Sequence, residues 1–158
     1  SEEVGVVNAD TVIITWAKIY ASVGKARRVL YNRLPQLSGH RKRLNVLFRQ
    51  VLSYADFASE YTDSEFKILA QTESNMVRFV LSEIVTEDSK LKARGEKSGE
   101  SESTLCRGAI IHLVHQCGGD ATVPESHDGP VKYTFTIPKV LKETSDGPGA
   151  EDAEREAA

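Results

Sequence analysis

Residues 11–55 contain no aspartate or glutamate, although acidic residues outnumber basic ones in the chain as a whole, 23 to 20. Other shortages bound the protein further. No apolar run approaches the roughly 18 residues that a bilayer-spanning helix needs, so no membrane span is expected. The start, SEEVGVVNAD, has neither a basic region nor an apolar core, so it does not read as a secretory signal and suggests a cytosolic chain. Only two cysteines are present, Cys106 and Cys117. On one helix they would lie roughly 16 Å apart, beyond bridging distance, so they read as reduced, buried thiols.

The composition, 40% hydrophobic and 27% charged, is that of a globular chain, and 158 residues suffice for one core. The expected organisation is one domain over 1–142 and an acidic, flexible tail over 143–158, where six acids face one arginine.

Helical spacing runs through 11–34, with Trp16, Ile19, Val23, Ala26, Leu30 and Leu34 on one stripe and Pro35 as a stop. It recurs over 40–55 with Leu44, Leu47, Phe48, Val51 and Ala55. Residues 61–71 suggest a short extended piece. The spacing predicts a third helix over 73–85, on Met76, Val77, Val80, Leu81 and Ile84, with Thr72 as its cap. Residues 86–104 hold nine charges and read as a long loop. A fourth helix follows, with Cys106, Ile110, Leu113, Val114 and Cys117 on one side and Gly118-Gly119 as its end. Alternation of Val131, Tyr133, Phe135 and Ile137 then marks a half-buried strand. The fold class expected is mainly α: a four-helix, up-down-up-down bundle with a small β element.

His112, His115 and Cys117 are close enough in sequence to suggest zinc, with Cys106 or His127 as a fourth ligand, but helix-face histidines and core cysteines are the stronger reading, and no metal is expected. A Cys–His nucleophile lacks an orienting third group. The glycines of GEKSG and CGGD lack the strand-before, helix-after setting of a phosphate loop, so no cofactor is expected. The acid-free stretch is the best signal. Its basic face, including Arg27, Arg28, Arg41, Lys42, Arg43 and Arg49, suits a polyanion or an acidic protein surface.

The order of these elements, with ITWA (14–17), RKRLNVLFRQVL (41–52), YTDSEFKIL (61–69) and RGAIIHLV (107–114), resembles the coat proteins of tobamoviruses and related rod-shaped plant RNA viruses. That resemblance implies a structural coat, not an enzyme. Such a protein self-assembles into a helical rod around single-stranded genomic RNA, in the virion and the host cytoplasm, without sequence-specific contacts. It also implies phosphate contacts at Lys90, Lys92, Arg94 and Arg107, and carboxylates that repel across subunits at Glu87, Asp88 or Glu96. The alternative is a monomeric helical interaction domain whose basic face (11–55) binds an acidic protein partner. A third reading is an enzyme using His112, His115 or a cysteine.

Overall fold

The computed structural model describes residues 4–9, 11, 14–15, 28–32, 34, 36–93 and 100–139. Strand β1 (Val4–Asn8) pairs antiparallel with β3 (Gln36–His40), and β3 runs straight into α1 (Arg41–Ala58). A mixed five-stranded sheet has the order β2-β4-β5-β7-β6, built from β2 (Val29–Tyr31), β4 (Glu65–Glu73), β5 (Met76–Ile84), β6 (Ala121–Thr122) and β7 (Lys132–Pro138). Only β2 runs parallel to its neighbour; the other pairings are antiparallel. Helix α2 (Glu100–Gln116) lies against α1 and reaches β6 and β7.

The core forms where the helices meet one face of the sheet. Leu44, Leu47, Phe48, Val51, Leu52 and Ala55 recur at helical spacing and are buried on α1. Cys106, Ile110, Val114 and Cys117 do the same for α2 and the turn that follows it. The sheet contributes Phe66 and Ile68, then Val77, Phe79 and Leu81, then Tyr133, Phe135 and Ile137, alternating as strand geometry demands. Phe48 meets Phe79 and Phe135 edge-on at centroid distances of 5.3 and 6.1 Å, while Phe79 and Phe135 stack at 5.0 Å.

This architecture overturns the four-helix bundle. The expected third helix is strand β5, joined to β4 by a two-residue hairpin that takes Ser74 to φ 57°. Central strands have both faces partly covered, so apolar residues follow one another closely and imitate a helical stripe. Burial settles the period, since Val77, Phe79, Leu81 and Glu83 point inward and the residues between them do not. Part of the expected first helix, Val29–Tyr31, is strand β2, and 16–27 lie outside the described residues. The helix expected over 40–55 is α1, the strand over 131–137 is β7, and the fourth helix is α2, which begins earlier, at Glu100. The tail over 143–158 lies outside the described residues.

Candidate functional site: a buried carboxylate at the end of the sheet

At the C-terminal end of β5 the inward period places Glu83, a carboxylate with only 7% exposure. A buried charge needs donors, and three elements supply them. Ser59, at the end of α1, and Ser64, just before β4, both direct their hydroxyls to Glu83 Oε2. Val131 N donates to Oε1 at 3.0 Å, and Glu83 N donates back to Val131 O at 2.8 Å. A carboxylate offers about four acceptor positions, so one remains on Oε1.

Residues 123–131 cross the same end of the sheet between β6 and β7. Arg107 Nε donates to Val123 O at 2.7 Å, and the Tyr54 hydroxyl donates to Pro124 O at 3.0 Å. Tyr54 also lies 2.8 Å from His127 Nε2, while His127 Nδ1 accepts from Lys132 N at 3.4 Å. Behind them Tyr133 is buried edge-on to Tyr54, its hydroxyl donating to Val51 O at 2.6 Å. Burial pushes Tyr133 well above the ordinary tyrosine value, and Tyr54 upward too, the latter opposed by the Arg107 charge. Burial pushes His127 down, opposed by the Glu83 charge.

The loop after β5 closes the other side. Lys90 N donates to Asp63 Oδ1, Thr62 N to Lys90 O, and Lys92 N to Glu60 O, each within 2.9 Å. Lys92 Nζ reaches Asp56 O at 2.7 Å, at the end of α1. A cleft of about 150 Å³ opens beside Ser64, lined also by Asp63, Glu65, Ile84, Thr86, Asp88 and Ser89.

Of the residues expected to touch RNA, Lys92 and Arg107 are half-buried and bind main-chain carbonyls, Lys90 is exposed, and Arg94 lies outside the described residues. Glu87 and Asp88 are exposed in a turn, and Glu96 is outside the described residues. Of the basic face, Arg41, Lys42 and Arg49 are exposed along α1 with Arg43 half-buried; Arg28 is 3.7 Å from Glu65, and Arg27 is outside the described residues. His112 and His115 are exposed on α2, Cys106 and Cys117 are free and buried, and His127 faces Tyr54. Among the described residues no group of three or more such side chains could hold a metal ion, and no helix is long and apolar enough to cross a membrane. The sequence reading missed Tyr54, Ser59, Ser64, Glu83 and Tyr133. The available signal was Glu83 itself, an acid inside the apolar run VRFVLSEIV.

No protein-family model matches the chain, and no curated protein matches it in sequence. Solved structures do match. The catalytic domain of histidine kinase ThkA, in a nucleotide-free form, superposes with a TM-score of 0.61 at 17% identity, over 89% of this chain and 98% of that one. The Acinetobacter baumannii histidine kinase AdeS gives 0.60 at 12%, over 88% and 68%. Full-length ShkA in complex with AMPPNP gives 0.58 at 15%, over 87% of this chain and 31% of ShkA. The fold is that of a histidine kinase catalytic domain.

A histidine kinase catalytic fold is an α/β arrangement, which removes the basis of the coat-protein resemblance and everything drawn from it. The capsid role, helical self-assembly, single-stranded RNA as partner, and placement in a virion and host cytoplasm all fall. So does the helical interaction domain binding an acidic partner, because the described basic residues lie on a sandwich of helix and sheet. The expectation that the chain is not an enzyme rested on the same resemblance. The matching structures are, by title, kinase catalytic domains and histidine kinases.

Proposed function

We propose that the chain is the catalytic-domain module of a histidine-kinase-type signalling protein and takes an adenine nucleotide at the loop end of its sheet. The breadth of the superposition supports this reading, since it covers nearly the whole ThkA catalytic domain. So does the ligand in one matching structure, ShkA, whose AMPPNP is an adenine nucleotide. The observation that carries it is Glu83. A carboxylate buried at the end of a central strand, with three donors fixed and one acceptor position left, suits a donor such as an exocyclic amine of a base.

The fit is uneven along the nucleotide. Between Gly39 and Gly95 the chain has no glycine, so the described part of the loop after β5 offers no glycine turn to wrap a phosphate chain. Lys90 is the described loop cation with an exposed side chain. Among the described residues, base recognition at Glu83 is therefore the better supported part of the binding. Titration of the chain with ATP, ADP and adenosine, followed by calorimetry, tests this. Saturable binding of all three is expected, with Glu83→Gln weakening each of them. No saturable binding of ATP up to millimolar concentration would overturn the reading.

A further inference from the structure

We propose that residues 123–131 form a strap over Glu83, clasped by the Tyr54–His127 pair, and that release of the clasp frees the carboxylate. The consequence for ligand access rests on the nucleotide reading above; the strap itself does not.

The argument is one of proton bookkeeping. Tyr54 has a single hydroxyl proton but two partners, Pro124 O and His127 Nε2. His127 Nδ1 faces the Lys132 N–H and must accept from it. A neutral ring accepting at Nδ1 carries its proton on Nε2. Nε2–H then donates to the Tyr54 oxygen, and Tyr54 donates to Pro124 O. Each group is satisfied in this one arrangement, a tautomer assigned from the bond network.

Protonation breaks it, because Nδ1–H would point at the Lys132 N–H. Lys132 is the first residue of β7, next to Val131, whose N–H and carbonyl are both committed to Glu83. Loosening this join therefore acts directly on the carboxylate. The groups facing His127 are Tyr54 from α1, with Arg107 of α2 acting on it, Glu83 from β5 and the Lys132 main chain from β7. Glu125 and Asp128, on the strap, are exposed. Burial favours the neutral ring, so the clasp is closed at neutral pH and opens in acid.

The test is amide hydrogen exchange, corrected for intrinsic rates, on the whole chain at pH 8 and pH 5, for the native protein, Tyr54→Phe and His127→Gln. At pH 8, Val131 and Lys132 are expected to exchange several-fold faster in Tyr54→Phe than in the native protein, and by a larger factor than Ile110 and Val114 in α2, whose exchange rises only with the loss of global stability. The native protein at pH 5 should resemble the variant, and His127→Gln should lose the part of the pH effect that is confined to Val131 and Lys132. Equal protection of Val131 in native and Tyr54→Phe proteins would overturn the strap, as would a pH effect confined to Val131 and Lys132 that survives in His127→Gln. Faster exchange spread evenly into α2 would also overturn it, since the segment would then not open separately. If a variant fails to fold, the native comparison with His127→Asn decides. Absence of ATP binding in every variant would overturn the nucleotide reading and leave the exchange result to judge the strap.

Discussion

Tyr54 and His127, 73 residues apart in sequence, share a 2.8 Å hydrogen bond that ties α1 to the segment between β6 and β7. Tyr54 is at once a core residue, 2% exposed and edge-on to Tyr133, and the donor that holds Pro124 O. Its ring and its hydroxyl can be separated by mutation. Tyr54→Phe keeps the ring contacts and removes both bonds, so a loss of about 1–2 kcal/mol is expected. Urea unfolding checks it, and the slope should stay as in the native protein because the surface exposed on unfolding hardly changes.

His127 gives stability a defined acid dependence. Its folded pKa is lowered from the ordinary histidine value, so the folded state binds fewer protons than the unfolded chain as pH falls. The contribution is complete above about pH 6.5 and is lost as pH drops through the folded value. Urea midpoints between pH 8 and pH 5 should fall more steeply for the native protein than for His127→Gln. Parallel curves would show that carboxylates elsewhere dominate.

The alkaline side has the opposite sign. Burial raises Cys106, Cys117, Tyr54 and Tyr133, so each holds its proton in the folded state after the unfolded chain has released it. Stability from these groups is complete below about pH 8.5 and declines above it, first through the thiols and then, beyond about pH 10, through the tyrosines. Thermal melts from pH 8 to pH 11 should show this two-stage decline. A thiol reagent at pH 8 should modify both cysteines slowly until denaturant is added.

Glu83 explains why the site was harder to read than the core. Helix α1 and strand β7 declare themselves by local period, Leu44 to Ala55 at helical spacing and Tyr133 to Ile137 at alternate positions. Strand β5 hides its period, because Val80 and Ile84 on its outer face are also apolar and partly covered. A helix and a strand then account for the same letters equally well, and the resemblance to coat proteins depends on the helix. The partners of Glu83 lie 24, 19 and 48 residues away, at Ser59, Ser64 and Val131. No pattern of hydrophobic spacing reports contacts that only the sheet order creates.

Replacement of Glu83 should show how far the strand depends on that order. Glu83→Ala removes the acceptor of the Val131 N–H and the Glu83 bonds of both hydroxyls, leaving Ser59 its longer bond to Tyr61 O at 3.2 Å, and a cost of about 3 kcal/mol is expected. Glu83→Gln keeps the shape and two polar positions, so its cost should be smaller. Equal costs would mean that packing around the side chain, rather than its hydrogen bonds, sets the energy.

Two glycines on either side of the α2 terminus should respond in opposite directions. Gly108 lies within α2, where an added methyl group would meet nothing within 4 Å. Alanine there removes backbone freedom from the unfolded chain without a clash, so Gly108→Ala should stabilise by about 0.5–1 kcal/mol. Gly119 follows the helix, where Gly118 takes φ 90° and Gly119 N closes the last turn on Val114 O at 3.0 Å. A Cβ at Gly119 would fall 1.8 Å from Thr136 O, in the main chain of β7. That atom cannot swing aside as a side chain could, because Thr136 N is bonded to Asp120 O at 2.8 Å and β7 is paired on both sides. Gly119→Ala must therefore push α2 away from the sheet, at a cost of about 3 kcal/mol or more. Thermal melting of the two variants beside the native protein decides the matter. A tolerated Gly119→Ala would mean that the joint between α2 and β7 yields more readily than its hydrogen bonds imply.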